Sequence, residues 1–131
     1  MQDYYREVIL DHYRHPRNAG ALDQADIHAA DSNPLCGDKV ELFLQMGEDG
    51  RVSAVRFSGR GCAISQASAS VLTELIEGKT PDELKQLGKD DILDALGLES
   101  ISPARMKCAM LSMRVLHHAL GDDDWFQVEE E

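Results

Sequence analysis

The residues of this chain best suited to chemistry are its three cysteines and an aspartate close to the first of them. Cys36 and Asp38 flank Gly37 in a predicted turn, Cys62 follows a glycine-rich stretch, and Cys108 lies early in the last predicted helix. Thiolates select zinc or the iron of a sulfide cluster over magnesium and calcium. Three thiolates and one carboxylate therefore predict a four-ligand site for such a metal. Spacing alone leaves open the alternative that each free cysteine is a small buried hydrophobic residue.

Basic residues accompany two of the cysteines. Cys62 is expected at the N-terminus of a helix, where the helix dipole and Arg60 favour a thiolate. Cys108 follows Arg105 and Lys107 closely. A site of three thiolates and one carboxylate stays negative after it binds a divalent metal. These three cations are candidates to offset part of that charge, and the alternative is that they are solvated surface side chains.

The charge balance argues against two classes of partner. The chain has 24 acidic and 13 basic side chains and a formal net charge of -11. Neutralising nucleic-acid phosphates, or binding an anionic membrane surface, requires an excess of basic residues, so we expect neither partner. Much of the negative charge lies near the C-terminal end, in Asp122, Asp123, Asp124, Glu129, Glu130 and Glu131.

Length and cysteine count indicate how the chain is organised. Its 131 residues fit one domain, which we expect over residues 1–120, followed by an acidic C-terminal tail over 121–131. An odd number of cysteines excludes a closed set of intramolecular disulfides and favours a reducing compartment. The first residues lack the basic start and apolar run of a signal peptide, which predicts a soluble cytoplasmic protein.

Hydrophobic periodicity predicts the elements that must position the cysteines. Helical spacing, bounded by proline and glycine signals, indicates helices over 3–14, 63–77, 80–88, 91–96 and 103–120. Alternating residues indicate a weak edge strand over 26–30 and a hairpin with strands around 40–45 and 52–57. This order predicts an α+β fold, a small antiparallel three-stranded sheet packed against about five helices.

The histidines are interpreted as structural residues. His12 lies on the apolar stripe of the first predicted helix, and His15 lies in the turn that follows it. Neither has a cysteine nearby in the sequence, so we do not expect them to be metal ligands. His117 and His118 fall near the end of the last helix, where cations complement the helix dipole.

Three cysteine motifs and an N-terminal signature occur together in this chain. They read HPRNAG at 15–20, NPLCGD at 33–38, GRGCAIS at 59–65 and RMKCA at 105–109. With this combination the chain resembles, from about residue 4 to about residue 120, the NifU/IscU/SufU-type iron-sulfur cluster assembly proteins. The resemblance implies an IscU/NifU N-terminal-like fold with the metal at one exposed end, held by the ligand set Cys36, Asp38, Cys62 and Cys108.

The resemblance also implies a function. It implies that the protein accepts persulfide sulfur from a cysteine desulfurase of the SufS/IscS type, with Cys36, Cys62 and Cys108 as candidate acceptors. It further implies a scaffold that delivers clusters to downstream carriers or apo-proteins, which is favoured over a stand-alone enzyme. The implied cofactors are zinc in the protein as isolated and a transient [2Fe-2S] or [4Fe-4S] cluster.

Differences from each branch of the family leave other functions open. Lys107 stands where IscU-like proteins have a histidine, and ISPAR at 101–105 replaces a Leu-Pro-Pro-Val-Lys chaperone-recognition segment. The cysteine motifs are nearer the SufU branch, but the chain lacks the extra segment that SufU-type proteins usually carry between the second and third cysteines. The alternatives are a zinc-dependent sulfurtransferase that relays persulfide to another assembly factor, and an interaction module with a structural zinc site.

Overall fold

A sheet and a layer of helices make up the part of the chain that the computed structural model describes, residues 2–33, 37–98 and 102–121. Strands precede most of the helices in the chain, which confirms the predicted α+β class. Over the described residues the elements are α1 (Gln2–Arg14), β1 (Ile27–Asn33), β2 (Asp38–Met46), β3 (Val52–Arg60), α2 (Ala63–Ile76), α3 (Pro81–Leu84), α4 (Lys89–Leu96) and α5 (Pro103–Ala119).

The sheet is antiparallel, with the strands in the order β1-β2-β3. β2 alternates strictly, so that Val40, Leu42 and Leu44 are buried on one face while Lys39 is exposed on the other. The weak edge strand of the sequence prediction is confirmed as β1, and it extends to Asn33 because its whole length pairs with β2. The register fixes which side chains near the ends of the strands stand opposite one another.

Helices α2 and α5 cover the apolar face of the sheet, and α1 and α4 pack against α2. The core between sheet and helices is mostly aliphatic, and α5 contributes Met110 and Met113 to it. Fully buried residues from both layers include Leu42, Leu44, Leu72, Ile76, Leu96, Leu111 and Leu116. Burial of these side chains therefore fixes α2 and α5 relative to the strands.

A polar cluster fastens α1 and the turn after it to α2. The Nδ1 atom of His12 lies 2.7 Å from the Ser70 hydroxyl oxygen, which also accepts a hydrogen bond of 2.9 Å from the Arg17 backbone N–H. The amide of Asn18 donates to the Thr73 hydroxyl at 3.1 Å. His12 is therefore a buried structural residue, as its place on the apolar stripe predicted.

One local prediction differs from the structure, and one histidine makes a contact that the sequence did not predict. Gly88 does not close the helix that begins after Thr80: that helix ends at Leu84, and Gly88 is instead the N-cap of α4, with its N–H donating to Asp91 at 2.8 Å. His117 is fully buried and its Nε2 lies 2.8 Å from the Leu87 carbonyl oxygen, so a long-range contact and not only the helix dipole holds it.

α5 ends at Ala119, and the acidic segment 122–131 lies outside the described residues. The division into domain and tail stays a prediction. No helix in the described part of the chain is both long and apolar enough to cross a membrane.

Candidate metal centre

Asp38 is the first residue of β2 and points to the helix-covered side of the sheet. Strand alternation places it on the same face as Val40, and only 1% of its surface is exposed. The preceding Gly37 has φ of +73°, a left-handed conformation that favours glycine. The turn predicted from Gly37 is therefore present, and it directs a carboxylate inward at the end of the sheet.

Cys62 lies next to this carboxylate, at the start of α2. It is the N-cap of that helix, and its sulfur accepts a hydrogen bond of 3.4 Å from the Ser65 N–H. The Cys62 backbone N–H donates to Oδ1 of Asp38 at 2.9 Å, and its thiol donates to Oδ2 at 3.6 Å. Cys62 is nevertheless exposed, so its sulfur can be reached from outside.

Gly61 makes the close approach of Asp38 and Cys62 possible. Its φ is +144°, and a Cβ added there would overlap the Asp38 carboxylate, standing 2.6 Å from the carboxylate carbon. A Cβ on Gly59 would likewise collide with the backbone carbonyl of Lys39. The Gly-Arg-Gly run before Cys62 is thus shaped by contacts with β2. The sequence carried no signal for that contact, because 23 residues separate Gly61 from Asp38.

Cys108 reaches the same place from α5. Ser102 caps this helix by accepting the Arg105 N–H at 3.4 Å, and Cys108 lies partly buried in the early turns. The oxygen of Asp38 and the sulfurs of Cys62 and Cys108 all lie within 4.8 Å of one another. The structure therefore brings together three of the four residues that the sequence predicted as ligands.

The donor set fits zinc or a thiolate-bound iron centre. In a tetrahedral zinc site with bonds of about 2.3 Å to sulfur, ligand atoms stand roughly 3.8 Å apart, so small rotations would bring these three atoms around one ion. Asp38 and Cys62 are already hydrogen bonded to each other, which lowers the reorganisation that binding requires. Oxygen-only ions such as calcium are disfavoured by the two sulfurs.

The fourth predicted ligand, Cys36, lies outside the described residues. Of the residues on either side of it, Asn33 and Gly37 are joined by a hydrogen bond of 2.8 Å from the Gly37 N–H to the Asn33 carbonyl. Its place in the ligand set stays a prediction. Compensation of the site's negative charge by nearby cations also stays a prediction. The side chains concerned, Arg60, Arg105 and Lys107, are all exposed.

Comparison with known proteins shows which family this chain belongs to. A family model described as the NifU-like N terminal domain matches residues 4–126. The chain belongs to this family. The resemblance noted from the cysteine motifs is therefore confirmed, and it covers nearly the whole chain.

Two curated relatives of this NifU-like domain carry different names. The zinc-dependent sulfurtransferase SufU of Bacillus subtilis is 36% identical over 140 residues, which cover 95% of this chain and 94% of the relative. The scaffold protein IscU of Escherichia coli K12 is 32% identical over 121 residues, with 90% and 92% covered. The first alignment is longer than this chain of 131 residues, so the Bacillus protein has residues within it that this chain lacks.

Solved structures confirm the fold. The SUF-system protein FiSufU of Fervidobacterium islandicum AW-1 superposes with a TM-score of 0.74 at 30% identity, covering 87% of this chain and 94% of that one. The N-terminal part of a NifU-like protein from Brucella abortus gives a TM-score of 0.75 at 23% identity, covering 94% and 96%. The predicted IscU/NifU-like architecture is therefore confirmed.

Proposed function

We propose that this chain is an iron-sulfur cluster assembly protein that accepts persulfide sulfur from a cysteine desulfurase and serves as a scaffold for cluster formation and delivery. The observation that carries the proposal is the convergence of Asp38, Cys62 and Cys108 at one end of the sheet. Membership of the NifU-like family, with relatives named as a scaffold and as a sulfurtransferase, supports the same function.

The proposed sulfur transfer is an exchange at sulfur. A cysteine thiolate of this chain attacks the terminal sulfur of the donor persulfide, a new S–S bond forms, and the donor leaves as a thiolate. The transferred sulfur keeps its proton, and no external oxidant is needed. Cys36, Cys62 and Cys108 remain the candidate acceptors. The exposure of Cys62 supports access of a donor to its sulfur, while Cys108 is less accessible.

Asp38 is proposed as the exchangeable ligand. A carboxylate is a harder ligand than a thiolate, so it is the group expected to yield when iron or sulfide is added or when the cluster leaves. The hydrogen bond from the Cys62 N–H would keep the Asp38 carboxylate in place whether or not it holds a metal. When zinc is bound, it would keep the thiols deprotonated and shield them until sulfur arrives. Iron and sulfide are the cargo of the reaction, in a [2Fe-2S] or [4Fe-4S] cluster.

The second candidate is a zinc-dependent sulfurtransferase that relays persulfide to another assembly factor and builds no cluster. The Bacillus relative that bears this name supports it, at 36% identity over nearly the whole chain. A purely structural zinc site in an interaction module is less well supported, because Cys62 is exposed and structural zinc ligands are usually enclosed.

One anaerobic reconstitution separates these functions. The purified chain is assayed for zinc and iron and then incubated with a SufS-type desulfurase, cysteine and ferrous iron. A chromophore that transfers to an apo-protein supports the scaffold, whereas persulfide with retained zinc and no cluster supports the relay. Absence of both persulfide and cluster would leave the structural zinc site as the better account.

Asp38→Ala tests the ligand assignment within that experiment. We expect fewer metal ions per chain, because one of the converging donors is lost. Unchanged metal occupancy together with unchanged sulfur acceptance would remove Asp38 from the proposed site. The desulfurase, the downstream acceptor and a cytoplasmic location are parts of this proposal, the last supported by the odd number of cysteines.

A further inference from the structure

Two cations stand directly opposite each other on the outer face of the sheet, beside the metal centre. The β2–β3 register pairs Lys39 with Arg60, and both side chains are exposed. Lys39 follows Asp38 in the chain, and Arg60 precedes Cys62 by two residues. The two side chains line one shallow groove together with Ser32, which pairs with Lys39 from β1. We call Lys39 and Arg60 the cation pair.

The cation pair brings two like charges together in the free protein. Like charges directly opposite each other in a sheet repel, whereas opposite charges there attract. Within residues 2–33, 37–98 and 102–121, neither cation has a carboxylate within ion-pair distance. The nearest acidic residue on this face, Glu41, is bonded by His28 at 2.6 Å and by the Ser58 hydroxyl at 3.2 Å. Glu41 lines a groove together with both cations and offsets part of their charge, and the remainder is available to an anionic group from outside.

We propose that the cation pair is an electrostatic anchor for an acidic patch on the protein that donates sulfur. This inference rests on the proposed function, which requires such a donor to reach the metal centre. The groove is open, and a small molecule would be held by a deeper, largely apolar pocket. Extended polyanions such as nucleic acid or an anionic membrane are repelled by a chain of net charge -11. A local acidic patch on a folded protein meets the two cations and avoids most of that repulsion.

The expected effect is on the rate of association. Complementary charges at the rim of an interface raise the association rate, and salt screens them. The variant is Lys39→Glu/Arg60→Glu, which keeps a like-charged pair and reverses its sign. The matched control is Lys85→Glu/Lys89→Glu, which makes the same change in net charge at two exposed lysines. Those lysines lie on either side of Leu87, whose carbonyl contacts His117 on α5. His117 is nine residues beyond Cys108, or roughly 13 Å along the helix, so the control site is away from the metal centre.

The probe is the SufS-type cysteine desulfurase of the function test, loaded with persulfide. We measure its association rate at about 20 mM and about 500 mM salt. At low salt we expect the cation-pair variant to associate at least about tenfold more slowly than the control variant, with the difference largely lost at high salt. Circular dichroism and metal content of each variant report whether fold and site are intact.

Three results would overturn the inference. Equal slowing of both variants would assign the effect to net charge alone, and no slowing of either would leave the cation pair without a role. Faster association of the cation-pair variant would indicate that the acidic segment 122–131 of this chain covers the pair. Failure of the proposed function looks different, since the wild-type chain would then bind the desulfurase without acquiring persulfide.

Discussion

Gly61→Ala tests whether the backbone at the metal centre is shaped by the contact with Asp38. A methyl group at this position would overlap the carboxylate, and its backbone φ of +144° is one that alanine rarely adopts. The left-handed conformation alone costs about 1–2 kcal/mol. Moving the carboxylate also breaks the 2.9 Å hydrogen bond from the Cys62 N–H, and bonds to charged groups contribute about 1.5–3 kcal/mol. We expect the free energy of unfolding to fall by roughly 2.5–5 kcal/mol.

Gly50→Ala is the matched control for that variant. Gly50 lies in the turn between β2 and β3 with φ of +79°, and a Cβ there would meet no atom within 4 Å. It should therefore show the conformational cost alone, about 1–2 kcal/mol. Urea unfolding followed by circular dichroism measures both variants, and metal per chain is measured in parallel. Equal destabilisation, with full metal content in Gly61→Ala, would refute the contact as the reason for glycine.

Three further predictions concern the polar cluster that joins α1 to α2 and the bound metal. Ser70→Ala should lower the free energy of unfolding by about 2–3 kcal/mol, because a backbone N–H and an imidazole lose their hydrogen-bond partner. The control Ser68→Ala removes a buried hydroxyl without a partner in the described chain and should cost under about 1 kcal/mol. Similar losses of stability for the two variants in urea unfolding would contradict this prediction. Burial holds the pKa of His12 below its ordinary value, so stability should be full above about pH 6.5 and fall as the pH drops below it. His12→Gln should make the urea unfolding midpoint depend less on pH between about pH 7.5 and 5.5, whereas His15→Gln, at an exposed position, should not. An unchanged pH dependence in His12→Gln would count against burial of His12 as the cause. Chelation should lower the melting temperature of the wild-type chain more than that of Asp38→Ala, since a ligand stabilises the state that binds it; equal shifts would place the metal elsewhere.

Local signals predicted most of the elements correctly. Pro16 and Gly78 follow α1 and α2, and Ser102 caps α5, as the sequence indicated. Each of these signals acts within one helical turn, so neighbouring residues are enough to predict it. The helix end was misplaced at Gly88, which caps α4 instead, and the contact of His117 with Leu87 joins residues that are distant in the sequence.

Residue types and spacing supply the available chemistry, namely thiol and carboxylate donors in glycine-rich and helix-start positions, together with motifs specific enough to assign the family. How those groups meet depends on the folded arrangement. Asp38 lies under Gly61 and beside Cys62 because β2 pairs with β3 in one register, and Cys108 reaches them because α5 packs across the sheet. The same register sets Lys39 opposite Arg60. These relations depend on pairing and burial between distant segments, which no local pattern encodes.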